Sequence, residues 1–152
     1  MAKEMLGKYF SLKELTRSET AERLGIDNTP SDEEKEKLRA LVVNILDPLR
    51  EARGKIIVNS GYRSPELNEA TPGSSKTSQH VKAEAADIEE DDAPIEDTLR
   101  YIRDNLPFDQ LILEYPPNGW VHVSYVPNGR RIVLIKEKGK DYRQWNDPLN
   151  NA

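Results

Sequence analysis

The sequence predicts an α+β fold, with N-terminal helices packed on a mostly antiparallel sheet. Three observations carry this. Two Ser-x-x-Glu capping boxes and a long apolar stripe of helical period occupy the N-terminal part of the chain. Short runs rich in Val and Ile follow Gly54, each bounded by turn residues. Two of those runs flank Pro116-Pro117-Asn118-Gly119, a hairpin signal. The resulting order, αα-β-β-α-βββ, fits helices lying on one face of a sheet.

Element by element, Ser11-Leu12-Lys13-Glu14 is the first capping box and opens a short helix. Ser18 to Leu24 forms a further turn or two, stopped by Gly25. Ser31-Asp32-Glu33-Glu34 opens the main helix, with acids in the first turn favoured by the helix dipole. Its stripe is Leu38, Leu41, Val42, Ile45, Leu46 and Leu49. Pro48 should bend the last turn and Gly54 should end it. Lys55 to Ser60 is a strand. Residues 61 to 79, rich in Ser, Gly, Thr and Pro, read as a long loop. Glu84 to Glu89 is a strand carrying Asp87. Pro94 starts a helix whose buried stripe is Ile95, Leu99, Ile102 and Leu106. Gln110 to Tyr115 and Trp120 to Tyr125 make the hairpin, and Arg131 to Lys136 adds a third strand after Pro127-Asn128-Gly129.

The length of 152 residues fits one domain over 1–152, with a polar tail from about residue 137 loosely packed or pinned by Trp145. Acidic residues outnumber basic ones, 27 to 22, and a net charge of −5 argues against a nucleic-acid partner. With no cysteine, disulfides and thiolate-ligated metals are excluded. Met1 to Phe10 has no apolar signal core, and no run is long enough to span a bilayer. The expectation is therefore a monomer made in the cytoplasm, with no membrane partner.

Only two histidines occur, His80 and His122. His80 lies seven residues before Asp87, and His122 lies mid-strand. Two imidazoles and a carboxylate are a common ligand set for a catalytic zinc with an open fourth position. The competing reading is a core histidine, an exposed histidine and a surface acid. Ala85, Ala86 and Ile88 surround Asp87 with apolar side chains, so it needs a partner: a metal, or Lys82 or Arg63 in an ion pair. Thr71 to Thr77 lacks the spacing of a phosphate-binding loop.

Ser60-Gly61-Tyr62-Arg63-Ser64-Pro65, Leu67-Asn68, Ser78-Gln79-His80 through Ala86-Asp87-Ile88, and Trp120-Val121-His122-Val123-Ser124 occur in this order. Together they resemble the zinc D-alanyl-D-alanine carboxypeptidase family, over about residues 8 to 126. Tyr9-Phe10-Ser11-Leu12 and the segment from Arg23 to Pro30 are similar to its small phage and prophage branch. The resemblance implies the hedgehog/D,D-peptidase fold, a peptidoglycan peptide as substrate, and zinc held by His80, Asp87 and His122. It also implies action on the bacterial cell wall after delivery by a phage or another export route. Arg63 would face the substrate, with a structural salt bridge as its alternative. Ser78 would donate to the substrate or cap its loop, and Asn68 would brace the loop. A non-catalytic zinc- or peptide-binding module on the same fold, even a virion component, is the rival. Two residues depart from the family pattern: Ala83 replaces a glycine, and Gly119 stands where relatives place an acid.

Glu114 is the candidate to replace that acid. A three-residue loop, Pro117-Asn118-Gly119, would pair Pro116 with Trp120 and Glu114 with His122, on one face of the sheet. A four-residue loop would turn Glu114 to the other face. Asp109 and Glu66 are the fallback carboxylates.

Overall fold

The computed structural model describes residues 4–72 and 78–149. Helices α1 (Leu12–Thr16) and α2 (Glu19–Leu24) come first, each capped by a serine side chain, Ser11 and Ser18. Gly25 ends α2 in the left-handed conformation. A second full capping box, Ser31 with Glu34, opens α3 (Asp32–Leu41). This helix continues as a π-helical turn (Val42–Leu46) and then α4 (Asp47–Arg53), which Gly54 ends. Pro48 sits in the first turn of α4. It has no N–H for the carbonyl of Asn44 and its ring crowds that group, so the ladder widens to π register just ahead of it. The predicted stripe from Leu38 to Leu49 is fully buried.

Among the described residues, six strands follow in one sheet: β1 (Ile56–Ser60), β2 (Ala85–Glu90), β3 (Gln110–Glu114), β4 (Trp120–Ser124), β5 (Ile132–Lys136) and β6 (Arg143–Gln144). Their spatial order is β1-β2-β4-β3-β5-β6. The sheet is mixed, a correction to the mostly antiparallel expectation, because β5 runs parallel to β3. The connection after β4 supplies the reason. Gly129 lies against the backbone at Phe108 and Asp109, where a Cβ would come within 2.7 Å of Asp109 Cα. Ile132 N–H then bonds the Asp109 carbonyl, so β5 starts level with β3 and beyond it. Two consecutive strands are thereby separated by the strand that precedes them both.

The sheet has two unlike faces. Ala86, Ile88, Leu111, Leu113, Val121 and Val123 are buried in the core cluster shared with α3, α4 and helix α6 (Ile95–Asn105). The residues between them, among them Asp87, Glu114, Trp120 and His122, line a cleft on the opposite face. This is the alternation of a sheet covered by helices on one side.

Two local expectations are corrected. Within the stretch read as loop, Pro65–Ala70 forms helix α5, capped by Ser64 with Pro65 in its first turn. The Ser-Pro-Glu start is an ordinary helix signal that the polar composition obscured. Residues 73–77 of that stretch lie outside the described residues. In the hairpin, Glu114 pairs with Trp120 and Ile112 with His122, leaving Tyr115 to Gly119 as the loop. The register is two positions from the expected one. Because side chains alternate, a two-position shift keeps Glu114 on the face of His122. The longer loop contains a cis Pro116–Pro117 bond and Tyr115 at φ +55. Gly119 allows the chain to pass the Glu114 carbonyl, which a Cβ there would meet at 1.8 Å.

The polar tail packs on the body. Trp145 belongs to the core cluster and lies beside the Arg100 and Arg103 guanidinium groups. Both arginines also bond Asp147. Among the described residues no helix is long and apolar enough to cross a membrane.

Candidate metal centre

Asp87 lies on β2 directly opposite His122 on β4, and opposite Ser60 on β1 beyond a bulge. His80 comes from the turn that precedes β2. That turn is held by Val81 N–H to the Ser78 carbonyl and by His80 N–H to Ser78 Oγ. Ala83 closes it at φ +61, the left-handed region that explains why a glycine is at home there. The His80 carbonyl accepts from Arg63 N–H at 3.1 Å, tying the turn to the end of β1.

The three side chains converge. His80 Nε2 lies 3.3 Å from Asp87 Oδ2, and His122 Nδ1 lies 3.1 Å from Asp87 Oδ1. One ligand atom from each falls within 4.8 Å of the other two, and all three residues are buried. The other ring nitrogens have partners of their own. His80 Nδ1 is 2.7 Å from the Gly61 carbonyl oxygen. A carbonyl only accepts, so this nitrogen carries hydrogen and Nε2 is the one turned toward the carboxylate. His122 Nε2 lies 2.9 Å from Gln79 Oε1, leaving Nδ1 toward Asp87. Each ring thus turns one nitrogen toward Asp87, and these two nitrogens with a carboxylate oxygen make a donor set that fits a divalent cation.

Asp87 responds to the two rings beside it. Burial alone would raise its carboxyl, but the His80 and His122 rings hold it below the ordinary carboxylate range. Arg63 adds to the positive side. Its guanidinium is 4.0 Å from Asp87 Oδ2 and is braced by Asn68 Oδ1 at 3.1 Å. Lys82, the other candidate partner for Asp87, is exposed.

The cleft has a volume of about 1260 Å³, and Arg63, Ser78, Glu114 and Tyr142 are among its lining residues. Glu114 accepts a hydrogen bond from the Trp120 indole N–H. Burial, then the charge of Asp87, raises its pKa, against the opposing pull of His122, Trp120 and Arg63. The fallback carboxylates are placed differently. Asp109 is engaged by Arg130 through its backbone N–H, Nε and a terminal guanidinium nitrogen. That pairing, against the opposing effect of burial, lowers its pKa to about 2. Glu66 is exposed on α5, away from the cleft lining.

Sequence reasoning missed Gln79 as a partner of His122. A glutamine beside a histidine carries no signal of its own, and its role depends on residues 30 and 43 positions away. Trp120 was legible only as sharing the face of His122.

Two imidazoles and a carboxylate on the wall of an open cleft, beside a half-buried glutamate, form the kind of site a metallohydrolase uses. Residues 8–124 match the family model described as Peptidase M15, and the chain belongs to that family of zinc-dependent metallopeptidases. No curated protein matches the chain.

Proposed function

We propose that this chain is a zinc peptidase that hydrolyses peptidoglycan stem peptides, as a D-alanyl-D-alanine carboxypeptidase or a related endopeptidase. The observation that carries the reading is the convergence of His80, Asp87 and His122 in a chain of the M15 family. These three residues would hold the metal. When bound, zinc supplies a Lewis acid for the scissile carbonyl and lowers the pKa of water toward ~7.

The chain's own residues would do the rest. Glu114 takes a proton from water in the cleft and returns it to the leaving amine; its raised pKa suits both halves of that transfer. Trp120 holds one Glu114 oxygen, Oε2, and so fixes the carboxylate on the cleft wall. Arg63, braced by Asn68, offers a fork of donors to the substrate's carboxylate or carbonyl. Ser78 shapes the turn that carries His80 and lines the substrate's path. The binding-module alternative rested on Gly119; the presence of Glu114 among the cleft-lining residues supports the catalytic reading over it.

Elemental analysis of the purified chain, followed by incubation with sacculi and fragment analysis, tests the proposal. The expected result is one zinc per chain and release of D-alanine or of cleaved stem peptides. A chain that takes up no zinc, or a zinc-loaded chain that leaves sacculi and model peptides intact, would refute it.

A further inference from the structure

We propose that Gln79 is a positioning residue: its side-chain amide, oriented by Asp109, holds His122 in the tautomer that presents Nδ1 to the metal. This rests on the metal-site reading above and goes beyond it to residues outside the ligand set.

Three contacts run in series. Gln79 Nε2 donates to Asp109 Oδ2 at 3.0 Å. Gln79 Oε1 lies 2.9 Å from His122 Nε2. His122 Nδ1 lies 3.1 Å from Asp87 Oδ1, inside the candidate metal group. An amide can be turned end for end, so its orientation needs a cause. Asp109 supplies one. An ionised carboxylate only accepts, and it therefore selects the NH2 end of the amide. Arg130 keeps Asp109 ionised, with Nε 2.9 Å from Oδ1 and a terminal nitrogen 2.9 Å from Oδ2. The amide oxygen is then left for His122, whose Nε2 must carry a hydrogen to meet it. Nδ1 is then the nitrogen left to ligate the metal when it is bound.

Both ends of the series are buried, which makes it specific. Asp109 is 3% exposed and His122 7% exposed, so water cannot readily replace a missing partner. Gln79 also sits next to His80 in the chain, and its carbonyl accepts from Glu84 N–H at 3.0 Å. One turn thus supplies a ligand and the group that orients the ligand opposite. His80 receives the equivalent support from the Gly61 carbonyl. The two rings are oriented by different chemistry, a backbone oxygen for one and a relayed side chain for the other.

The test compares zinc affinity, by competition with a chromophoric chelator, for the full chain and for three variants. Imidazole ¹⁵N shifts report the tautomer, and melting temperature reports the fold. Gln79→Met keeps the bulk and removes the acceptor. Asp109→Asn lets the introduced amide donate to Gln79 Oε1, which turns the Gln79 amide and presents its NH2 to His122. Each should weaken zinc binding roughly 10- to 100-fold, the usual cost of losing a partner behind a metal ligand. Asp109→Asn combined with Gln79→Glu restores an acceptor to His122, held by the introduced amide. It should regain most of the lost affinity, although the ion pair with Arg130 stays broken.

A role in stability alone predicts the opposite: the double variant would melt no higher than Asp109→Asn and bind zinc no better. Unchanged affinity in both single variants, or no rescue in the double, would overturn the inference. If the wild-type chain takes up no zinc, the metal reading fails separately. The tautomer is then read from the ¹⁵N shifts of the metal-free protein. Hydrogen on His122 Nε2 in the wild type, lost from Nε2 in Asp109→Asn, supports the relay; any other pattern rejects it.

Discussion

Three carboxylates near one cleft have been given different work by their neighbours. Asp87, between two imidazoles, is held ionised. Asp109 is held ionised by Arg130, with a pKa of about 2. Glu114 is pushed the other way by burial and by the charge of Asp87. A base whose pKa is raised loses function as pH falls through that pKa, so activity should decline on the acid side. Glu114→Gln should leave zinc bound and cut turnover by roughly 10²- to 10⁴-fold, the worth of general acid–base catalysis. Steady-state kinetics with parallel zinc analysis checks both halves; near-wild-type turnover would pass the role elsewhere. Arg63→Lys keeps the charge beside Asp87 but loses the fork. Turnover should fall while the melting temperature moves little. A large loss of stability with unimpaired turnover would make Arg63 a brace.

The junction between β1 and α1 shows how an element depends on a single small residue. Tyr62 N–H bonds the Leu15 carbonyl at 2.7 Å, which draws the chain at Gly61 onto the end of α1. A Cβ at Gly61 would lie 2.3 Å from that same carbonyl oxygen. The obstacle is backbone, so relief requires the strand end or the helix to move. The Gly61 carbonyl is also the partner of His80 Nδ1. Gly61→Ala should therefore cost about 3 kcal/mol, at the upper end of overpacking, and should weaken zinc binding in the folded fraction. Urea denaturation and chelator competition measure the two effects. A normal denaturation midpoint would mean the junction relaxes easily. Gly119 plays a similar part in the hairpin, where the Glu114 carbonyl occupies the space of a side chain.

Across the molecule, Asp109 ties three segments together. It bonds Arg130 after the β4 turn, Gln79 before β2, and sits 3.4 Å from Ser124 Oγ at the end of β4. Its pKa of about 2 in the folded state lies below the ~3.9 of an unfolded chain. The folded state thus binds this proton less tightly. The contribution is fully present above pH ~4 and is lost as pH falls toward ~2, amounting to about 2 kcal/mol. Denaturation midpoints measured between pH 5 and pH 2 should fall less steeply in Asp109→Asn than in the wild type. Parallel pH profiles for the two proteins would contradict this account.

Helix starts, helix stops and the two faces of the sheet were legible because they are written in neighbouring residues. Ser11, Ser31 and Gly25 act within one turn of where they stand, and the Leu38–Leu49 stripe repeats at the helical period. The same holds for the facing of Asp87 and His122, since each occupies a strand whose alternation turns it away from the helix-covered face. Pairings between distant segments were not legible. The parallel placement of β5 depends on how Gly129 packs under Phe108 and Asp109, and the hairpin register on the space Gly119 leaves beside Glu114. Gln79 is the sharpest case: its residue type fits many settings, and folding alone sets it between His122 and Asp109. Local chemistry decides which segments form elements and which side chains can bind a metal. Long-range packing decides which of them meet.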